Sequence, residues 1–314
     1  MKEGVTMCNP AIRSFHAFIL VLLAPAAFAL NNRSAVSLNG LDTNPCTTSS
    51  PCRSFGTAMS QTNSGGEIIA LDSAGYGPFT ITQAITVSGA PGIHAAITTT
   101  TGDGIAVNVA SGTDRVIIRN LILIGAGGVI GIHQTLCPEL RVIACLIRGF
   151  GTAGIQSEST SGNLTVSRTS VLDNPGFGIK LTGGSGIDLG TITDSTLEGN
   201  TVGLHAEYNT RVVVANSTIT GSFTGAEVAS TFSTGLLASI VLESCTIAHN
   251  TTGIRSQVSG ANNSGLIYIS QDLLAFNGTG VVLSGTGAAV DTFVNNRFTG
   301  NGLDGGPLNT IAFK

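Results

Sequence analysis

Eight glycines recur along this chain: Gly131, Gly154, Gly178, Gly203, Gly225, Gly253, Gly280 and Gly302, at intervals of 22 to 28 residues. They open the triplets GIH, GIQ, GIK, GLH, GAE, GIR, GVV and GLD. Each is preceded by polar residues, an apolar residue and a turn rich in Asn and Gly, as in DSTLEGNTVG, NSTITGSFTG, SCTIAHNTTG and QDLLAFNGTG. In these four, Leu197, Ile219, Ile247 and Leu274 each stand six residues before the glycine. Short runs that alternate apolar and polar residues, the period of a half-buried strand, open the units: LRVIA, LTVS, IDLG, RVVVA, SIVLE and LIYIS. A unit of this size cannot bury its own apolar face, so successive units must stack and share one core. Three short strands per unit, separated by tight turns, describe an all-β parallel β-helix. Equivalent residues then lie about 4.8 Å apart in neighbouring coils. A leucine-rich repeat would need a dense Leu pattern and a helix-compatible segment, and a propeller blade about 40 or more residues. Neither fits.

Composition agrees. Only 10% of residues are charged, Gly is 42 of 314, there is no Trp and mean hydropathy is +0.36. The net charge of −4 and the scattered arginines give no basic face for nucleic acid. At the N-terminus, Lys2, Arg13 and His16 accompany the apolar run FHAFILVLLAPAAFA, which ends in the small-x-small pattern Ala27-Phe28-Ala29. This predicts a signal peptide over residues 1–29, an exported chain (secreted, periplasmic or on the cell surface) and no transmembrane segment in its mature form. An exported chain permits disulfides, and Cys46 with Cys52, in NPCTTSSPC, is the expected pair. Cys137 and Cys145, on successive strands, form a weaker candidate pair. Cys245 is expected to be a buried free thiol. The spacings match no zinc pattern, so no metal site is expected.

Sides must alternate along the strand after each glycine. The first position holds Ile132, Ile155, Ile179, Leu204, Ala226, Ile254, Val281 and Leu303, an inner column. The second holds His133, Gln156, Lys180, His205, Glu227, Arg255, Val282 and Asp304, an outer one, and the fourth adds Glu158, Glu207 and Gln257 on the same side. Lys180, the only lysine besides Lys2 and Lys314, is expected beside Gln156 and His205, displayed to solvent, with Glu158 and Glu207 diagonal to it. The candidate ligand-binding set is Gln156, Glu158, Lys180, His205, Glu207, Glu227 and Arg255. Within it Lys180 could neutralise a uronate and His205 could act as a base. Glu158 and Glu207, roughly 9 to 10 Å apart at the backbone, could rotate toward the spacing of an inverting carboxylate pair. Tyr208 is the one aromatic expected near the patch. The alternative is a solvated strand face whose opposite charges add about 0.2–1 kcal/mol per pair and guard the register. Asp72 and Asp103 read as turn residues. The asparagines Asn200, Asn250, Asn277 and Asn301 recur at one turn, as left-handed or ladder residues.

From 65 to about 313 the repeat resembles the right-handed parallel β-helix proteins of the pectin lyase-like superfold. The segment LDTNPCTTSSPCRSF followed by GTAMSQTN resembles the N-terminal part of exported bacterial members, where a short helix caps the coil stack. Phe55, Ala58 and Met59 are spaced to share one face of that helix. The organisation expected is therefore a signal peptide at 1–29, a cap at 30–64 and a β-helix at 65–314. The resemblance implies polysaccharide or cell-surface glycan as partner. Lyases of the superfold pair acidic calcium ligands with a basic residue, and its hydrolases cluster aspartates. GIKL resembles the basic RIK element of polygalacturonases, but the accompanying NTD, paired-aspartate and HG elements are missing, and no Asp-rich cluster supports calcium. The reading is an exported binding or interaction module without a cofactor. The rivals are a lyase, hydrolase or epimerase using Lys180, His205, Glu158 and Glu207, and a structural or adhesive surface protein. The longest units, 225–280, are expected to supply the loops that wall any groove.

Overall fold

The structure, a computed structural model, describes residues 1–4, 30–110, 114–231 and 235–312. The expected signal segment, Cys8 within it, lies almost wholly outside the described residues, as does Lys314. Among the described residues the strands form three all-parallel sheets of twelve, ten and ten strands, wound into about nine turns. The chain visits the sheets in rotation. Glu139–Ile143 lies in the first, Leu146–Arg148 in the second and Ala153–Ser157 in the third, before Asn163–Ser167 returns to the first. Alternation along each strand sends one set of side chains inward. Leu140 and Leu164, then Gly190, then Val212, Ile240, Ile267 and Val290 stack in register, and each of the apolar side chains has at most 1% exposure. This is the continuous core that the repeat required.

The corners explain the recurring polar residues. Between the first and second sheets, Asn120, Ala144, Arg168, Asp194, Asn216, Ser244 and Gln271 all turn through the left-handed region, with φ of 50–56°. The residue after each is buried, and several of these link coil to coil through a side-chain oxygen. Thr169 Oγ1 accepts from Cys145 N (3.3 Å), Ser195 Oγ from Thr169 N (3.2 Å), Ser217 Oγ from Ser195 N (3.1 Å) and Asp272 Oδ1 from Cys245 N (2.7 Å). Cys145 and Cys245 belong to this inner column. Cys137 lies at the far end of a coil, and Cys137, Cys145 and Cys245 are all buried free thiols, so the candidate Cys137–Cys145 pair does not form. Burial pushes the Cys145 and Cys245 thiols up to about 11.

At the second corner the asparagines form a ladder. Asn277 Oδ1 accepts from both the backbone N–H and the side-chain Nδ2 of Asn250 (3.0 Å each), and Asn301 Oδ1 does the same for Asn277 (2.9 and 3.0 Å). None of these asparagines has a positive φ, so of the two roles foreseen for them only the ladder is realised. The repeat glycines follow. Their φ values are ordinary, and what they need is space: a Cβ on Gly178 would lie 2.5 Å from the Gly203 carbonyl oxygen, and one on Gly203 2.6 Å from that of Gly225.

The strand Asn31–Val36 pairs in parallel with Thr62–Ala70 and extends the first sheet. Between them the Cys46–Cys52 disulfide closes a short loop, and Ser54 caps the helix Phe55–Ser60 by accepting from Thr57 N. Phe55, Ala58 and Met59 are buried, with Phe55 stacked on Phe79 at 4.8 Å. Asp72 ties this region down by accepting from Ser37 Oγ (2.6 Å), Leu38 N (3.0 Å) and Tyr76 Oη.

Candidate functional site

The third sheet carries the polar stripe. Its register places His133, Gln156, Lys180, His205, Glu227 and Arg255 side by side across successive coils. The stripe differs from the displayed patch foreseen from the strand period. Gln156, His205 and Glu227 are only 6%, 6% and 4% exposed, and the Lys180 side chain retains 19% of its accessible surface. Neighbours stacked above and below shield every residue of the column. The bend at the repeat glycine adds a further cover that simple alternation assigns to the interior: Phe177. Its ring centroid lies 4.6 Å from that of His205 and 5.2 Å from Lys180 Nζ.

Within the stripe the charges alternate and engage one another. Lys180 Nζ lies 3.5 Å from Glu207 Oε2, which also accepts from Thr182 Oγ1 at 2.9 Å. His205 stands between two carboxylates, with Nδ1 3.0 Å from Glu227 Oε2 and Nε2 3.4 Å from Glu207 Oε1. The second distance is an ion-pair approach rather than a formed hydrogen bond, since Nε2 is buried without a hydrogen-bond partner. Arg255 closes the chain on Glu227 Oε1 through Nε (2.7 Å) and Nη2 (2.5 Å). Burial by itself would lower the His205 pKa, but Glu207 and Glu227 outweigh it and leave the imidazole raised. Burial likewise opposes ionisation of Glu207, yet His205, Lys180 and Thr182 hold it down to about 2. Glu227 is lowered against its burial by His205 and Arg255.

Glu158 does not join this network. It accepts from Gln156 Nε2, and its Oε2 lies 3.4 Å from His133 Nε2. His133 Nδ1 in turn meets Asp103 Oδ2 at 2.7 Å. The expected diagonal pairing of Lys180 with both glutamates is thus realised only toward Glu207. Asp103, read from sequence as a turn residue, belongs to this second cluster. Of the longest units, 225–280, expected to supply walls, residues 232–234 lie outside the described residues; among the described ones Asn263 Oδ1 accepts from Leu236 N at 3.0 Å. Among the described residues no group of three or more His, Cys, Asp or Glu is placed to hold a metal ion.

The fold has known counterparts. The profile of the family described as right handed beta helix region matches residues 62–219. The chain belongs to the right-handed β-helix family. Solved structures similar to this β-helix include pectate lyase Pel9A, at 13% identity and a TM-score of 0.55 over 91% of this chain and 78% of that one. XylC, solved in complex with xylose, is similar at 10% identity and a TM-score of 0.62 over 84% and 70% of the two chains. No curated protein matches.

Two features of this β-helix were invisible to the repeat pattern. Phe177 faces the stripe because the corner interrupts the two-residue period. Asp188, opening the strand Asp188–Thr193, is fully buried; it accepts from Ser157 Oγ at 2.6 Å through Oδ2, while Oδ1 has no partner. Burial pushes its carboxyl up to about 7. An Asp followed by Leu in IDLG carries no sequence signal that its side chain turns inward.

Proposed function

We propose that this chain is an exported binding module whose third-sheet stripe receives an acidic polysaccharide lying along the coil axis. One observation carries the reading: Lys180, Glu207, His205, Glu227 and Arg255 form a continuous, largely buried charge ladder running from coil to coil. Side chains held this firmly lose little further entropy when a ligand docks. Successive sugars could then meet equivalent positions at successive coils, with Lys180 and Arg255 as cationic contacts and Gln156 and Glu158 as hydrogen-bonding ones. The fold shared with a pectate lyase and with XylC is compatible with a saccharide ligand, and fold by itself assigns no chemistry. The apolar run ending at Ala29 supports export, and among the described residues no helix is long and apolar enough to cross a membrane. We also propose the division into a leader at 1–29, a cap at 30–64 and the β-helix at 65–314.

Catalysis by Lys180, His205, Glu158 and Glu207 is the second reading, favoured by the raised pKa of His205. A base must reach the proton it removes, and His205 is 6% exposed beneath Phe177, so binding takes precedence. A glycan array with a depolymerisation screen on acidic polysaccharides, run on wild type and Lys180→Ala, separates the readings. Binding that falls about tenfold in the variant, without turnover in either protein, supports a binding module. Turnover lost in the variant supports an enzyme. Neither binding nor turnover leaves a structural rod.

A further inference from the structure

A cleft of about 430 Å³ runs along the first corner, on a different face from the stripe. Its wall is the turn at 90–94, where Pro91 restricts the backbone and Gly92 takes φ +79°. Ile93, Leu121, Ile122 and Leu146 line it with apolar surface, and Asn120, His94 and Arg168 supply polar groups. The volume falls in the range of small-ligand sites, about 300–1,000 Å³.

The charge of the lining is one-sided. In a chain with net charge −4, this cleft is lined by an arginine and a histidine and by no Asp or Glu. Among the described residues the Arg168 side chain makes no ion pair, in common with Arg148, Arg211 and Arg297, whereas Arg33 and Arg119 engage Glu67 and Arg115 and Arg141 engage Glu139. Asp194, one coil further along the same corner, does not line the cleft. The backbone gives Arg168 its position: it sits in the left-handed column between Ala144 and Asp194, with φ 50°.

We propose that this cleft binds a single hexuronate residue. A pyranose ring has one face of C–H groups and a rim of hydroxyls. The C–H face suits Ile93, Ile122 and Leu146, and the rim suits the Asn120 amide and the His94 imidazole. The planar guanidinium of Arg168 matches a carboxylate with two parallel hydrogen bonds, which an ammonium could not provide. The site stands apart from the stripe, and its ligand does not depend on what the stripe does.

The test is a ligand-observed NMR titration of the full chain with glucuronate, glucose and benzoate, using wild type, Arg168→Asn, Arg168→Lys and Lys180→Ala. Asparagine tolerates the left-handed conformation at 168, so that variant keeps its fold, and circular dichroism verifies this. Wild type should bind glucuronate at least tenfold more tightly than glucose or benzoate. Arg168→Asn should abolish that preference at the cleft, Arg168→Lys should recover part of it, and in Lys180→Ala the Arg168-dependent part of it should remain. Glucose bound as well as glucuronate would overturn the role of Arg168, and tighter binding of benzoate would overturn the sugar. Binding lost in Lys180→Ala but kept in Arg168→Asn would move the ligand to the stripe and refute the cleft. No binding of any probe would refute it too, while leaving the polymer reading of the stripe to its own assay.

Discussion

Glu227 accepts from Arg255 at 2.5 and 2.7 Å and faces His205 at 3.0 Å with only 5% of its side chain exposed. Removing its charge strands two cations in a poorly hydrated layer. Glu227→Gln should cost about 3 kcal/mol in urea unfolding at pH 6, whereas the same change at Glu158, which is 45% exposed, should cost under about 1 kcal/mol. The network also sets a pH window. Glu207 is depressed from 4.5 to about 2, so its contribution is complete above pH 4.5 and lost as pH falls toward 2. His205 is raised above 6.5, so its contribution is complete below 6.5 and lost as pH rises through its folded value. Asp188 acts in the opposite sense to Glu207. Its carboxyl is raised from 3.8 to about 7, so folding favours the protonated form and stability declines as pH climbs from 3.8 to 7. Asp188→Asn should therefore match wild type near pH 3 and exceed it by a few kcal/mol at pH 8, as read from denaturant midpoints; equal pH profiles would refute this titration. The stripe's members were legible because a period of two assigns outer positions. Their burial was not, because it depends on what the adjacent coils place above and below.

At the level of elements, the corners carry the specificity. Asn250 Oδ1 accepts from Ser222 N, and its Nδ2 donates to Ile219 O and Asn277 Oδ1, all inside the second corner. Asn250→Ala takes the side-chain partner from Ser222 N–H and from the Ile219 carbonyl, while Asn277 Oδ1 keeps the Asn250 backbone N–H, and should cost about 3 kcal/mol, measured by thermal or urea unfolding. Gly178→Ala tests a different limit. The added methyl group would press on the Gly203 carbonyl and on Asn200, so the strand Phe177–Leu181 must shift, at about 3 kcal/mol. If Gly178→Ala proved neutral, the glycine column would be a turn preference and not a packing requirement. The recurrence of glycine was plain in the sequence. The reason for it was not, since a glycine needed for φ and one needed for space look alike in one dimension.

For the whole molecule, stacking makes stability nearly a sum over coils and their interfaces. The ends then matter most. Phe55, Ala58 and Met59 cover the first coil, and Phe55 bridges Tyr76 and Phe79 at 5.2 and 4.8 Å. Phe55→Ala should cost about 3–5 kcal/mol and open the stack from that end. Hydrogen exchange should accelerate in Thr62–Ala70 and Ile85–Gly89 before it does in Val202–Ala206. Uniform acceleration along the chain would instead mean that the solenoid unfolds as a single unit.

The amino-acid sequence by itself determined the β-helix, the coil length and the inner and outer columns, because each follows from local periodicity repeated often enough to leave one consistent stacking, and it marked the disulfide loop by two cysteines six residues apart. Only the tertiary structure decided which carboxylate Lys180 engages, that Phe177 shields His205, that Asp103 meets His133 and Asp188 turns inward, and that a cleft forms under 90–94. These depend on contacts between residues about one coil apart, and on corner angles that bend the chain out of its two-residue period. Periodicity specifies which residues become neighbours. The distances and burial that turn neighbours into a charge ladder or a cleft arise only when the coils close on one another.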